Sequence, residues 1–273
     1  MLLRRLSFAV TLLAAAWAGA QSKTYVALGD SVAWGYQPNS TSRGSGDKGY
    51  VKVFADYLGT IQGGVRPRLI NLGIPGETTA SFFDTSEIGG LLNSNYPILF
   101  RQSQANTFHA KVLSERSAGR TITHVTFALG ANDLLDLQTT EFFALPFDQQ
   151  TATVDATLAA AWTKLDAALT LVRQDCPTAV LKVPGYYNPY GAYPGSQEDL
   201  IGKYAIPRLN NMLIVLAKRY RGSFALVYPL FAGNELTLTW IGENDVHPRD
   251  PGYNVIAQAL IGSQRWAGAP PIP

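Results

Sequence analysis

The segment Ile122 to Leu129, ITHVTFAL, constrains the fold of this chain more than any other. It is nearly continuous in apolar and β-branched residues, so a strand made from it presents apolar side chains to both of its faces. Such a strand sits inside a sheet covered on both sides, the usual condition of a parallel sheet. Four further short runs read the same way: Thr24 to Leu28, Arg68 to Leu72, Ala179 to Val183 and Phe224 to Tyr228. Between them lie stretches with helical spacing: Tyr50 to Leu58, Phe100 to Arg116, Thr151 to Gln174, Gln197 to Arg221 and Tyr253 to Trp266. Pro207 falls inside the fourth and is expected to kink or break it. Strands alternating with helices give an α/β fold, three layers α/β/α around a five-stranded parallel sheet.

The N-terminus stands apart from this pattern. Arg4 and Arg5 precede an apolar run from Phe8 to Ala18, and Ala18-Gly19-Ala20 follows. A basic start, a short apolar middle and a small-residue end are the three parts of a secretory signal peptide. Residues 1–20 are therefore expected to be a leader, cleaved near Ala20, with residues 21–273 as one domain and a secreted or periplasmic location. No later stretch has the length and apolarity of a membrane span. The chain holds 22 Lys and Arg against 20 Asp and Glu, and loss of Arg4 and Arg5 with the leader balances the two. Nothing in that balance points to nucleic acid or to an anionic membrane. Cys176 has no second cysteine to pair with and reads as a small buried apolar residue. The small-residue stretch Gln37 to Gly49 reads as a surface loop, and Gly268 to Pro273 as a loose tail.

In open parallel sheets, ligands bind beyond the carboxyl ends of the strands. The residues that follow each strand are therefore the ones to inspect. Gly29-Asp30-Ser31 follows the first strand, and Asn71-Leu72-Gly73-Ile74-Pro75-Gly76 the second. Gly130-Ala131-Asn132-Asp133 follows the third, and Asp245-Val246-His247-Pro248 lies beyond the fifth. These are parts for acyl transfer. A serine hydroxyl attacks a carbonyl when a base takes its proton, and histidine, with an unperturbed pKa of ~6.5, can be that base near neutral pH. The oxyanion that forms needs donors already aimed at it, each worth ~3–4 kcal/mol. The Ser31 backbone N–H at a helix start and the Asn132 side-chain amide are of the right type.

Gly29-Asp30-Ser31, Gly73, Gly130-x-Asn132-Asp133 and His247-Pro248 together resemble, in order, the four sequence blocks of the SGNH/GDSL hydrolase family. The flanking residues Asn71, Gly76, Thr78, Gly252 and Tyr253 are similar as well. The resemblance implies a flavodoxin-like SGNH fold and ester hydrolysis on lipids, sugars or other small molecules, with no metal or organic cofactor. It implies Ser31 as nucleophile and oxyanion donor, Gly73 and Asn132 as further donors, and His247 as general base and then acid. The substrates in view are short-chain acyl, acetyl or lysophospholipid-type esters. Acyl transfer to a sugar or lipid hydroxyl would use the same residues. A non-catalytic carbohydrate- or lipid-binding protein on this fold is the alternative of another class.

The family's last block usually carries Asp three residues before the histidine, where this chain has Asn244. Three ways of orienting the His247 ring stay open: the Asn244 carbonyl oxygen, the charged Asp245, or a backbone carbonyl. Asp30 and Asp133 are expected to bond backbone amides in their turns. Tyr186, Tyr187, Asn188 and Tyr190 follow the fourth strand and either line a pocket or pack as an aromatic loop. His109 and His124 lie away from strand carboxyl ends. Gly44 to Gly49 matches G-x-G-x-x-G in spacing but follows no strand, which argues against a dinucleotide site. G-x-S-x-G and H-E-x-x-H are absent.

Overall fold

Tyr25 and Ala27 point to one side of the first strand, Val26 and Leu28 to the other, and all four are fully buried. The strand is thus apolar on both faces, as a central strand of a covered sheet must be. In the computed structural model, residues 22–38, 47–84 and 102–264 are described. The leader at 1–20, most of the small-residue loop and the C-terminal tail lie outside them. The elements in chain order are β1 (Lys23–Gly29), α1 (Ser31–Trp34), α2 (Gly49–Ile61), β2 (Arg68–Asn71), α3 (Gln104–Ser117), β3 (Thr121–Ala128), α4 (Ala131–Leu135), α5 (Thr140–Phe143), α6 (Phe147–Asp175), β4 (Val180–Pro184), α7 (Gln197–Arg219), β5 (Ser223–Ala225), α8 (Tyr228–Phe231), α9 (Glu235–Leu238) and α10 (Asp250–Gly262). Short 3-10 turns occupy Pro189–Ala192 and Ile241–Glu243.

The five strands are all parallel, in the order β2-β1-β3-β4-β5. This is the flavodoxin-like order, and its reversal between β1 and β3 opens a crevice at the carboxyl ends. Val26, Phe127, Leu165, Leu169 and Leu213 belong to the core on the α3, α6 and α7 side. Tyr25, Phe54, Tyr253 and Ile256 belong to the core on the α2 and α10 side. The site residues thus lie between two helical layers, at one end of the sheet.

Three elements differ from their sequence expectation. The fifth strand stops at Ala225 because Pro229, at the second position of α8, suits a helix start and lacks the N–H a strand would use. Helix α6 starts at Phe147, directly after Pro146. Helix α7 runs through Pro207 without a break. The carbonyl that Pro207 leaves without its helical partner belongs to Lys203, an exposed residue open to water. No helix among the described residues is long and apolar enough to cross a membrane.

Candidate active site

The turn after β1 is held from both sides. Gln104 Oε1 accepts the Gly29 N–H at 2.7 Å and Gln104 Nε2 donates to the Gly29 carbonyl at 2.9 Å. Gly29 has φ 135°, and a Cβ there would run into the Ala128 carbonyl, so only glycine fits. Asp30 caps α1, its Oδ1 accepting the Val32 N–H at 2.9 Å. Its Oδ2 accepts the Tyr186 hydroxyl at 2.6 Å. Burial pushes the Asp30 carboxyl up to about 6. Ser31 is the first residue of α1, and its backbone N–H has no acceptor among the described residues.

His247 comes from the other side of the crevice. Its loop is pinned by an antiparallel bridge between Thr239 and Pro248, by the Trp240 N–H donating to the His247 carbonyl at 2.9 Å, and by the Tyr187 hydroxyl donating to the Val246 carbonyl at 2.8 Å. The Tyr36 ring lies 4.4 Å from the imidazole, centre to centre. His247 Nε2 is 2.8 Å from Ser31 Oγ, and His247 Nδ1 is 2.6 Å from Asp245 Oδ1.

Of the three possible ring holders, Asp245 is the one in contact. Asn244 adopts a left-handed conformation, φ 59°, which Asn tolerates well, and its N–H donates to the Ile241 carbonyl. It turns the chain so that Asp245 meets the imidazole. Burial alone would raise the Asp245 carboxyl. Its hydrogen bonds and charge attraction with His247 outweigh burial and hold it below the ordinary carboxylate value. Asp245 is therefore an acceptor at neutral pH, which places a hydrogen on Nδ1 and leaves Nε2 to accept from the Ser31 hydroxyl.

The expected donors separate into two kinds. Asn132, at the second position of α4, donates one Nδ2 hydrogen to the Glu77 carbonyl at 2.8 Å. Its second hydrogen has no acceptor among the described residues. Gly73 is different: its N–H donates to Asn71 Oδ1 at 3.0 Å. The donor role expected of Gly73 is not available in this geometry. Glycine is needed there for packing, since a Cβ would lie 2.5 Å from the Trp34 nitrogen. Three residues on, the Glu77 N–H closes a turn onto the Ile74 carbonyl, and the Gly76 N–H has no acceptor among the described residues.

Two functional neighbours were invisible in the sequence pattern. Glu77 is almost fully buried, accepts from Ser81 Oγ, and accepts from Gln104 Nε2 at 2.8 Å. Burial raises its carboxyl to about 7. Glu77 and Gln104 thus join the Gly29 turn to the segment that anchors Asn132. The Thr78 and Gly76 flanks of the second block could have drawn attention to Glu77. Gln104, in a helix far along the chain, carries no sequence signal. Asp133 accepts from the Thr79 N–H and hydroxyl at 3.0 and 2.6 Å, so it joins α4 to the segment after β2, where a bond within its own turn was expected.

A recess opens beside Ser31, His247 and Asn132. Leu134, Val154, Ile201 and Ala205 form its apolar wall, and the tyrosine segment after β4 forms another side. His109, bonded to Asp175, and His124, which burial pushes down to about 4, lie elsewhere. Among the described residues there is no group of three or more His, Cys, Asp or Glu placed to hold a metal ion.

The sequence model of the GDSL-like Lipase/Acylhydrolase family matches residues 27–255. The chain belongs to this family. It is thus a hydrolase of the GDSL (SGNH) esterase type, and the matched span contains every residue of the relay just described. No curated protein matches the chain in sequence. Among solved structures, a lipase from a goat rumen metagenome is similar at TM-score 0.62 and 20% identity, covering 90% of this chain and 97% of that one. An acetylxylan esterase from Geobacillus stearothermophilus is similar at TM-score 0.54 and 15% identity, over 87% and 92%. An alpha/beta hydrolase enzyme from the metagenome of Lake Arreo, Spain, is similar at TM-score 0.52 and 17% identity, over 87% and 93%. These likenesses concern the fold.

Proposed function

We propose that this hydrolase cleaves carboxylic esters through an acyl-Ser31 intermediate. The unbroken Ser31–His247–Asp245 relay, at 2.8 and 2.6 Å, is the observation that carries the reading. Ser31 Oγ attacks the ester carbonyl carbon while its proton passes to His247 Nε2. The carbonyl π pair moves onto oxygen, where the Ser31 N–H and the second Asn132 Nδ2 hydrogen donate to it. The Gly76 N–H is the third donor in this scheme: it is uncommitted among the described residues and adjoins Glu77, on which Asn132 is anchored. Collapse breaks the bond to the leaving alcohol, whose oxygen takes the proton from His247. A water then attacks the acyl-enzyme as His247 takes its proton, and the proton returns to Ser31 as the acid departs.

Asp245 stabilises the imidazolium formed in each half-reaction and fixes the tautomer between them. A relay complete in all three members favours turnover over mere binding. The basic, apolar and small-residue sequence of residues 1–20 supports action outside the cytoplasm, secreted or periplasmic.

Purified chain starting at Gln21 should hydrolyse p-nitrophenyl esters, and Ser31→Ala should abolish this. Equal rates in the two proteins would remove the reading. Exported protein whose N-terminal residue is Gln21 would support the leader; an intact Met1 would oppose it.

A further inference from the structure

The Ser31 N–H, the Gly76 N–H and the Asn132 amide come from three separate segments of the chain, after β1, β2 and β3. Donors to an oxyanion help only when each is already aimed. A misplacement of about 1 Å can cost about 10²-fold in rate. The three segments therefore have to be held in register, and the contacts that do this converge on one buried side chain.

Each donor leads back to Glu77. The Glu77 N–H closes the turn onto the Ile74 carbonyl at 3.0 Å, and the Gly76 N–H sits within that turn. The Glu77 carbonyl holds the Asn132 amide at 2.8 Å. Ser31 is reached through Gln104, which clamps Gly29 at both its N–H and its carbonyl, two residues before the nucleophile. The clamp uses Gln104 Oε1 and one Nε2 hydrogen. The other Nε2 hydrogen goes to Glu77 Oε2 at 2.8 Å. Glu77 Oε1 is held by Ser81 Oγ, which in turn accepts the Thr78 N–H at 2.9 Å. Glu77 and Gln104 are 2% and 1% exposed, so water does not compete for these bonds. A buried network whose members are all paired is rigid. An apolar side chain at 77 would leave a buried Gln104 hydrogen without an acceptor, and Gln104 would have to move to find one. The Asn132 arm is less exposed to that loss, because Thr79 and Asp133 tie the same segment to α4 independently.

On the esterase reading above, we infer that Glu77 is a positioning residue of the oxyanion site: its carboxyl holds Gln104, Gln104 holds the Gly29 turn, and the Ser31 N–H is thereby kept in line with the Gly76 and Asn132 donors. Glu77 acts through Gln104 and its loss is felt in the chemical step, with substrate binding left in place.

The test compares wild type, Ser31→Ala, Glu77→Leu, Glu77→Gln, Gln104→Leu and the double variant Glu77→Leu/Gln104→Leu on p-nitrophenyl acetate, with rates referred to the folded fraction. Glu77→Leu should lower kcat by about 10²-fold and change KM by less than about threefold. Its inhibition by phenylboronic acid, whose tetrahedral adduct on Ser31 puts an oxygen at the oxyanion position, should weaken by a similar factor. Glu77→Gln keeps an acceptor for Gln104 and a donor for Ser81, so it should recover kcat to within about threefold of wild type. The double variant should fall no further than Gln104→Leu alone, because the two residues act along one path. Glu77→Met carries the comparison if the Leu variant does not fold. Wild-type kcat in Glu77→Leu, Glu77→Met or Gln104→Leu, a loss confined to KM, or a Gln variant as slow as the Leu variant overturns the positioning inference and leaves the esterase reading standing. Absence of Ser31-dependent turnover in the wild type overturns both.

Discussion

Asp245 and His247 are joined twice: Asp245 Oδ1 accepts the His247 backbone N–H at 2.8 Å and contacts His247 Nδ1 at 2.6 Å. The acid and the base are therefore fixed to each other by the loop itself, two residues apart, with the left-handed Asn244 directing the carboxylate inward.

That arrangement makes Asp245 the third member of the relay. Asp245→Asn keeps the shape but loses the charge and allows the wrong imidazole tautomer, so kcat should fall by about 10³- to 10⁴-fold. KM should change little. Adding Asn244→Asp to that variant should restore nothing, because residue 244 is exposed and the imidazole is contacted by Asp245. Steady-state kinetics on one ester with the single and double variants checks this; recovery in the double variant would show that the loop can reseat its acid.

Asn132 should divide in the same way between chemistry and binding. Asn132→Ala removes an amide hydrogen offered to the oxyanion, so kcat should fall by about 10²- to 10³-fold. Because Nδ2 also ties α4 to the Glu77 carbonyl at 2.8 Å, the melting temperature should drop by a few degrees as well. Kinetics and thermal melts of the same preparation separate the two effects. A variant that raises KM but keeps kcat would place Asn132 in substrate binding instead.

The sheet was legible because Val26, Phe127 and Val183 are apolar on strands whose neighbours are apolar too, and that pattern has few other solutions. Ser31 and Asn132 were legible because each sits in the turn that directly follows a strand, and His247 because His247-Pro248 resembles the family's last block. The identity of the acid was not, since the choice between Asn244 and Asp245 depends on one φ angle. Gly73 misled for a related reason: a glycine is required at that place, but for its closeness to Trp34 rather than for its N–H. The Gln104 clamp on Gly29 joins residues 75 apart in the chain, and no local pattern reports such a contact.

The two glycines after β2 should therefore respond differently to alanine. Gly73→Ala forces a Cβ to within 2.5 Å of the Trp34 nitrogen and must shift α1, so it should destabilise the fold by about 1–3 kcal/mol. Its effect on kcat should come through displaced Ser31. Denaturant unfolding followed by kinetics on the folded fraction checks this. A Gly73→Ala protein as stable as wild type would show that α1 accommodates the added methyl group and would overturn the packing account of this glycine.

Glu77 gives a pH dependence of an unusual sign. Its carboxyl goes from an ordinary 4.5 to about 7 on folding, chiefly through burial. Between those values the folded state binds the proton and the unfolded state does not. Stability from this group is therefore greatest below pH 4.5, declines as pH rises to about 7, and is constant above, a loss of order 3 kcal/mol. Asp30 adds a similar decline between 3.8 and about 6, common to wild type and variant. Glu115, which the Arg120 hydrogen bond holds below its ordinary value, acts beneath this window. Glu77→Gln has the same shape, its carbonyl oxygen able to face Gln104 and its amide to face Ser81, whose hydroxyl can turn to accept. Thermal melts from pH 5 to 8 should show the variant gaining on wild type as pH rises, the gap levelling above about pH 7. A gap independent of pH would mean that Glu77 stays ionised in the folded protein throughout, with Ser81 and Gln104 supplying the stabilisation that burial removes.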